Sequence, residues 1–550
     1  MFLPQPDRRR FLLTGVGSAV PLLGCQPAGS TAHIQGDFTG VDHARGHLLQ
    51  PAAKSARATT WPAPTVTRRT DVLIAGGGVT GLAAARALRL KGIEDFALLE
   101  LENEAGGNAR GGTVGGLPCP LGAHYLPVPS DDAPEVQDLL EEFGLRTRQS
   151  GRWVYDERHL CHSPQERLFF NGAWQEGLLP LQDVGAQTLA QYQRFANLVA
   201  QLRQQARWTI PIRNRPPDLI KQGLTAITFD AYLTQQGLSD PHLRWYLDYC
   251  CRDDYGAGIG VVSAWAGIHY FASRHGFSAP GMESGESEGM LTWPEGNAWL
   301  TRRLVAPLQN RLHPGRVVLR ITNFKHGVEV DAFNTRTQTV ERWQARRAIV
   351  ALPIFVAARV VQNPPDWLRD AAVKTVYAPW LVANIHINSA LDDRPGAPPS
   401  WDSVIYGSPQ TAPGLGYVDA SHQRLQTVPG ATVLTFYRAL GDLGLPGRQM
   451  LLDTPWANWR DAIVAELSVP HPDLAAKTTR IDITRYGHAM AVPVPGFMHQ
   501  IGLKPLSNKG KELSNPRIQV TTFERLNFAH SDWAGYSVFE EAFTLGHWAE

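Results

Sequence analysis

The sequence predicts an α/β protein of two domains, one of them split along the chain, and three observations carry that prediction. Residues 71–112 read as strand, glycine turn, helix and strand ending in an acid. A second parallel-type strand signal, Ala348-Ile349-Val350-Ala351-Leu352-Pro353, returns much later, and a further strand end lies near the C-terminus at Phe528. Between them, a mainly helical block and then alternating strand runs mark a second, α+β domain. At 550 residues the chain exceeds what one simple core supports. The expected organisation is a targeting signal at 1–25, a flexible tether at 26–70, a nucleotide-binding domain from 71–150 with 290–365 and 516–550, and a substrate domain from 151–289 with 366–515.

The first residues read as an address. Arg8-Arg9-Arg10-Phe11-Leu12 resembles a twin-arginine export signal, and Leu22-Leu23-Gly24-Cys25 resembles a lipobox. The apolar run between them would be only about 21 Å long as a helix, too short to span a bilayer comfortably. Export by a route that carries folded proteins, cleavage before Cys25 and lipidation of its thiol are therefore expected, leaving a periplasmic protein anchored to a membrane. Residues 26–70 are rich in Ala, Pro, Gly, Thr and Gln with little periodicity, the composition of a tether.

Next comes the unit with the most chemistry. Val72-Leu73-Ile74-Ala75 suits a buried parallel strand, and Gly76, Gly78 and Gly81 complete G-x-G-x-x-G, with Val79 and Thr80 opening a helix. The first glycine allows the tight turn, the second lets backbone approach a pyrophosphate, and the third lets the helix through Leu82, Ala85 and Leu88 pack on the sheet. Phosphates then sit on the helix N-terminus, where free N–H groups and the dipole favour negative charge. The strand 96–99 delivers Glu100 to accept hydrogen bonds from a ribose. In this context the glycines define a Rossmann-like dinucleotide site.

Helical spacing continues over 136–143, 185–205, 229–237, 241–251 and 261–273. The stripe Leu189, Tyr192, Phe195, Val199 and Leu202 reads as core. Residues 291–297 introduce another amphipathic helix to Leu308, 316–321 and 327–330 read as a small antiparallel layer, and 348–353 return to the parallel sheet. Alternating runs at 381–387, 404–406 and 433–437 complete the second half of the substrate domain.

The identity of the nucleotide follows from what surrounds the acid. Six residues after Glu100 come Gly106 and Gly107, and this spacing resembles the second glycine motif of the flavin-containing amine oxidase superfamily. That superfamily includes monoamine and polyamine oxidases, protoporphyrinogen oxidase and carotenoid desaturases. The family continues G-G-R, whereas this chain has Asn108, with Arg110 two residues on; whether Arg110 replaces the missing charge is left open by the sequence. The final segment, NFAHSDWAGYSVFEEAFTLGHWAE, resembles the family's closing motif: Phe528, Ala529 and Asp532 hold the strand-end positions, with His530 where the family has glycine, and Glu540, Ala542 and Gly546 keep the helix spacing. The resemblance implies an amine oxidase-like two-domain fold and FAD as cofactor. It also implies Asp532 on a ribityl or pyrophosphate hydroxyl, and a helix starting near Tyr536 aimed at the flavin N1–C2=O side. A helix N-terminus stabilises the negative charge of reduced flavin there. Val317 or Val318 would hold adenine through its backbone, and the segment 122–129, GAHYLPVP, would cross near the isoalloxazine ring.

By its place in the GAHYLP turn His124 is the leading catalytic candidate, with Tyr125 beside it; His386, Tyr486 and His488 are further substrate-side candidates, each read more readily as a hydrogen-bonded structural residue. Many family members carry a lysine near flavin N5, yet the strand 377–387 has none, and Asn384 is assigned to that position. No cysteine follows Cys251, so the FAD is expected to be non-covalent. The implied activity is dehydrogenation of a small-molecule C–N bond. The alternatives are a desaturase or isomerase of an apolar substrate, and an FAD-containing lipoprotein without turnover. Gly256-Ala257-Gly258-Ile259-Gly260 follows Asp253-Asp254 rather than an apolar strand, which disfavours a second, NADPH site. A net charge of +1, 19% charged residues and no Lys/Arg stripe argue against nucleic acid. Cys119, Cys161, Cys250 and Cys251 show no C-x-x-C, and no H-E-x-x-H occurs, so no metal is expected. The electron acceptor, oxygen or a quinone, is not specified.

Overall fold

A computed structural model describes residues 30–49, 61–212, 223–282, 289–392, 394–407, 413–424, 428–497 and 521–550. The expected signal, including Cys25, lies outside them, and no helix among the described residues is long and apolar enough to cross a membrane.

Strands from three separate stretches of chain build one six-stranded sheet. Its order is Leu312–His313, Phe96–Leu99, Val72–Ala75, Arg347–Val350, Leu526–Phe528 and Thr521–Phe523, and every neighbouring pair but the last is parallel. The central runs Val72–Ala75 and Phe96–Leu99 are apolar and buried at every position, as strands covered on both faces must be. The helices Val79–Leu90 and Phe539–His547 pack together beside this sheet. The first and last described segments of the nucleotide unit thus meet in space.

The second layer is an eight-stranded mixed sheet. It runs Gln35–Thr39, Thr478–Val492, Val376–Ile387, Thr432–Ala439, Tyr417–Asp419, Asp402–Ile405, Glu166–Phe170 and Ala173–Glu176. Leu381, Ala383 and Ile385 point to a core shared with Phe436, Ile481, Ile483 and the helix Trp456–Leu467. Their alternate neighbours Trp380, Val382 and Asn384 therefore share the opposite face. Helices Ala186–Gln205, Pro241–Tyr255 and Ala264–Ala272 form the helical block, with Cys250 and Cys251 buried as small side chains within the second of them.

Residues 26–70 do not behave as a tether wherever they are described. Gln35–Thr39 adds a parallel edge strand to Thr478–Val492, and His43–His47 forms a short helix capped by the Asp42 side chain. Val66–Arg69 pairs in parallel with Thr339–Ala345, beside the hairpin of Arg316–Phe324 and Gly327–Asn334. Composition hides these elements because they are edge strands held by backbone pairing. Val66–Arg69 is exposed at all four positions, so no apolar alternation betrays it.

Candidate active site

A single cavity of about 820 Å³ extends from the glycine loops to the aromatic face of the large sheet. At its first end, Gly76 leaves the strand Val72–Ala75 at φ +103°, and a Cβ there would lie 2.3 Å from the Ala351 carbonyl oxygen. Only glycine fits that turn. Glu100 Oε2 accepts from the Gly77 N–H at 2.8 Å and Oε1 from the Glu102 N–H at 2.8 Å. Burial raises the Glu100 pKa, opposed by those two N–H groups and by Arg110. Gly106 donates its N–H to Gly77 O at 2.7 Å, which binds the two glycine loops into one floor. Val79, Thr80, Gly78 and Gly107 complete it, and Val317 and Val318 both line the wall.

Neither side chain after the second glycine pair is left uncommitted. The Asn108 amide donates to Ala489 O at 2.7 Å, tying the glycine loop to the strand Thr478–Val492. Arg110 Nε donates to Gly107 O at 3.1 Å, and its guanidinium lies 3.9 Å from Glu102. Both residues line the cavity.

Asp532 is 1% exposed and is held by two donors, with His530 beside it accepting from the Asp532 N–H at 3.2 Å. Its Oδ2 accepts from the Tyr377 hydroxyl at 2.5 Å and from the Ile354 N–H at 3.0 Å, and Oδ1 lies 3.0 Å from His530 Nδ1. Burial works against its charge, but His530, Tyr377 and the Ile354 N–H outweigh it and keep the carboxyl below its ordinary value. Tyr536 must be reassigned from the cofactor to the core. It is fully buried, donates to Glu541 Oε1 at 2.9 Å and is absent from the cavity wall. The left-handed turn at Gly535 and the extended cap Val538 delay the helix start to Phe539, so Val538 and Phe539 present the helix N-terminus to the cavity.

The other end is aromatic and acidic. His124 stacks on Tyr437 with ring centroids 4.5 Å apart and meets Tyr125 edge-on at 4.9 Å. The Tyr437 hydroxyl donates to Gly122 O at 3.1 Å, fixing the GAHY turn. Trp380 and Val382 line the wall beside them. Burial drives the His124 pKa down to about 3, so the imidazole is neutral at physiological pH. Asp253 also lines this end, and burial, then Asp254, push its pKa up to about 7. Asp254 pairs with Arg274 at 2.8 Å.

One sequence assignment fails here. Asn384 shares the face of Trp380 and Val382 but lies beyond the cavity, its amide donating to Pro120 O at 2.9 Å and its oxygen accepting from Thr435 at 2.8 Å. It is fully buried and structural. His386 likewise misses the cavity, hydrogen-bonding Thr479 at 2.6 Å. Tyr486 and His488 do line it. Sequence reasoning missed Tyr377, Trp380, Tyr437 and Asp253. Alternation along 377–387 is the signal that points to Trp380, and nothing local marks Asp253.

The glycine floor, buried acid and two helix N-termini on one cavity wall suit FAD, and they define an FAD-dependent oxidoreductase with a two-domain fold. The chain belongs to the flavin-containing amine oxidoreductase family, whose model matches residues 79–443. Solved structures of similar fold include a putrescine oxidase (TM-score 0.64, 18% identity, covering 88% of this chain and 98% of that one). A cyclohexylamine oxidase from Brevibacterium oxydans is also similar (TM-score 0.62, 18% identity, 87% and 97%). An L-amino acid dehydrogenase of Synechocystis sp. is 25% identical over 304 residues, 54% of this chain and 58% of that protein. A coproporphyrinogen III oxidase of Mycobacterium leprae is 41% identical over 97 residues, 17% of this chain and 20% of that one. The chain thus matches little more than half, or only a fifth, of these curated relatives' length.

Proposed function

We propose that this protein is an exported FAD-dependent oxidoreductase that dehydrogenates the C–N bond of a small amine. What supports the reading is the juxtaposition, in one cavity, of the Trp380 and Tyr437 rings with the Asp253 carboxyl. Aromatic faces and a carboxylate together favour a cationic substrate over a purely apolar one. Bound FAD supplies the hydride acceptor. The Trp380 and Tyr437 rings pack the amine carbon towards it, and neutral His124 adds a ring without adding repulsive charge. The charged Asp253 carboxyl pairs with the ammonium and takes one of its protons, and the neutral amine's C–N bond becomes C=N as the carbon gives up hydride.

Anaerobic reduction of the purified protein with panels of amines and polyenes tests this directly. Flavin bleached by amines alone is expected; bleaching by polyenes alone would replace the reading with a desaturase. The pH dependence carries a sign. Asp253 is neutral below about pH 7 and charged above it, so amine KM is expected to fall as pH rises through about 7. Asp253→Asn should flatten that step and raise KM about tenfold at pH 8. An unchanged profile would remove Asp253 from substrate recognition.

Export and anchoring belong to the same proposal. They rest on Arg8-Arg9-Arg10 and on the 22–25 lipobox resemblance. Cys25→Ser is expected to move the flavoprotein from the membrane fraction to the soluble periplasm, and an unaltered distribution would exclude lipidation at that thiol.

A further inference from the structure

Five basic side chains line the cavity where residues 41–49 cover it. His43 and His47 come from the helix His43–His47, Arg359 from Ile354–Val360, Arg448 from Gly444–Asp453 and His488 from Thr478–Val492. Among the described residues none of the five forms an ion pair. His43 Nε2 meets Arg485 O at 2.9 Å and Arg359 donates to Leu49 O at 3.4 Å. Arg448 and His488 make no side-chain hydrogen bond among the described residues. Their mutual proximity is felt. Burial, then Arg448 and Arg359, press the His488 pKa down to about 4, and burial, then His43 and Arg448, lower that of His47. Asp532 acts against this on His488, but its carboxylate is already held by Tyr377 and the Ile354 N–H, and basic groups gathered with so little free counter-charge are relieved by an anion.

Their position identifies which anion. Asn108 is tied to Ala489 O, and two residues earlier Gly487 lies against Arg448, whose Nε would be 3.3 Å from a Cβ there. Gly107, next to Asn108, closes on Gly78 at the N-terminus of Val79–Leu90, where a diphosphate is favoured. The cover is fastened on the nucleotide side as well. The Asp42 N–H donates to Glu102 Oε1 at 3.0 Å, Arg45 donates to Leu101 O at 3.1 Å, and Leu48 and Leu49 pack with Val317 and Leu101.

We propose that residues 41–49 form a clasp over the bound dinucleotide, and that Arg448, with Arg359, binds its diphosphate and supplies the charge that Asn108 lacks, the His47 ring of the clasp adding a hydrogen-bond donor. This rests on FAD as the cofactor. The clasp makes the segment between signal and catalytic fold part of the cofactor site, so a protein exported in the folded state would leave the cytoplasm with its flavin locked in.

The test follows FAD release from purified holoprotein by the rise in flavin fluorescence after dilution, at low and high salt. Arg448→Gln is expected to release FAD about tenfold faster and to lose much of the salt dependence, while Arg448→Lys stays near the unsubstituted rate. An Asp42→Ala/Arg45→Ala double variant, which removes the cap of the helix His43–His47, the Asp42–Arg45 ion pair and the Arg45–Leu101 bond while the Asp42 N–H stays on Glu102, should also release FAD faster. Equal rates for Arg448→Gln and Arg448→Lys would overturn the charge role, and an unchanged rate in the double variant would overturn the clasp. An unsubstituted protein that binds riboflavin as tightly as FAD would separate the two ideas: it would still be a flavoprotein, but not one that reads a diphosphate.

Discussion

Gly81→Ala is expected to yield protein with almost no bound flavin and a stability loss of about 3 kcal/mol or more. An added Cβ would sit 1.9 Å from the Gly76 carbonyl oxygen and 3.0 Å from its carbon, both rigid backbone. The helix Val79–Leu90 would have to lift from the strand Val72–Ala75, and that motion carries away the N–H groups that face the phosphates. The ratio of flavin to protein absorbance, with the thermal midpoint, measures both effects. Gly185→Ala is the control, since nothing lies within 4 Å of a Cβ there. Full flavin content in Gly81→Ala would show that this close contact is dispensable.

Asp532→Ala should be nearly as damaging, for a different reason. The substitution strands the Tyr377 hydroxyl and the Ile354 N–H around an empty volume inside the protein. Buried donors left unsatisfied cost about 1–3 kcal/mol each, so a loss of at least about 2 kcal/mol is expected together with loss of flavin. Asp532→Asn keeps the shape and removes the charge. The Asp532 pKa is below its unfolded value, so its charge stabilises the fold above that value of 3.8, and the contribution is lost as pH falls through the folded pKa. The difference in thermal midpoint between the native protein and Asp532→Asn should therefore shrink in acid. A constant difference would mean that shape, not charge, holds this corner together.

The nucleotide end was legible because its chemistry is local. Gly76, Gly78, Gly81 and Glu100 are consecutive features of one strand–turn–helix–strand unit, and each carries a backbone demand that few other residues meet. Asp532 was legible for the same reason at a strand end. Tyr536 was not, since three residues of left-handed turn and extended cap shifted the helix start to Phe539. Asn384 shows the limit of strand periodicity. It shares the face of Trp380 and Val382, but a period of two says which face a residue takes and not how far along the strand the cavity ends.

By itself the sequence determined the class of protein, its family and the glycine-lined end of the cavity, because those follow from contiguous glycines, an acid and apolar runs. Beyond His124 and Tyr125, tertiary structure decided the aromatic and acidic end and the cover. Trp380, Tyr437, Asp253 and Arg448 come from the strands Val376–Ile387 and Thr432–Ala439 and the helices Pro241–Tyr255 and Gly444–Asp453. Residues 41–49 are led to them by the edge strand Gln35–Thr39, which pairs with Thr478–Val492 through its backbone. Backbone pairing is blind to side-chain identity, which is why no local pattern announced it.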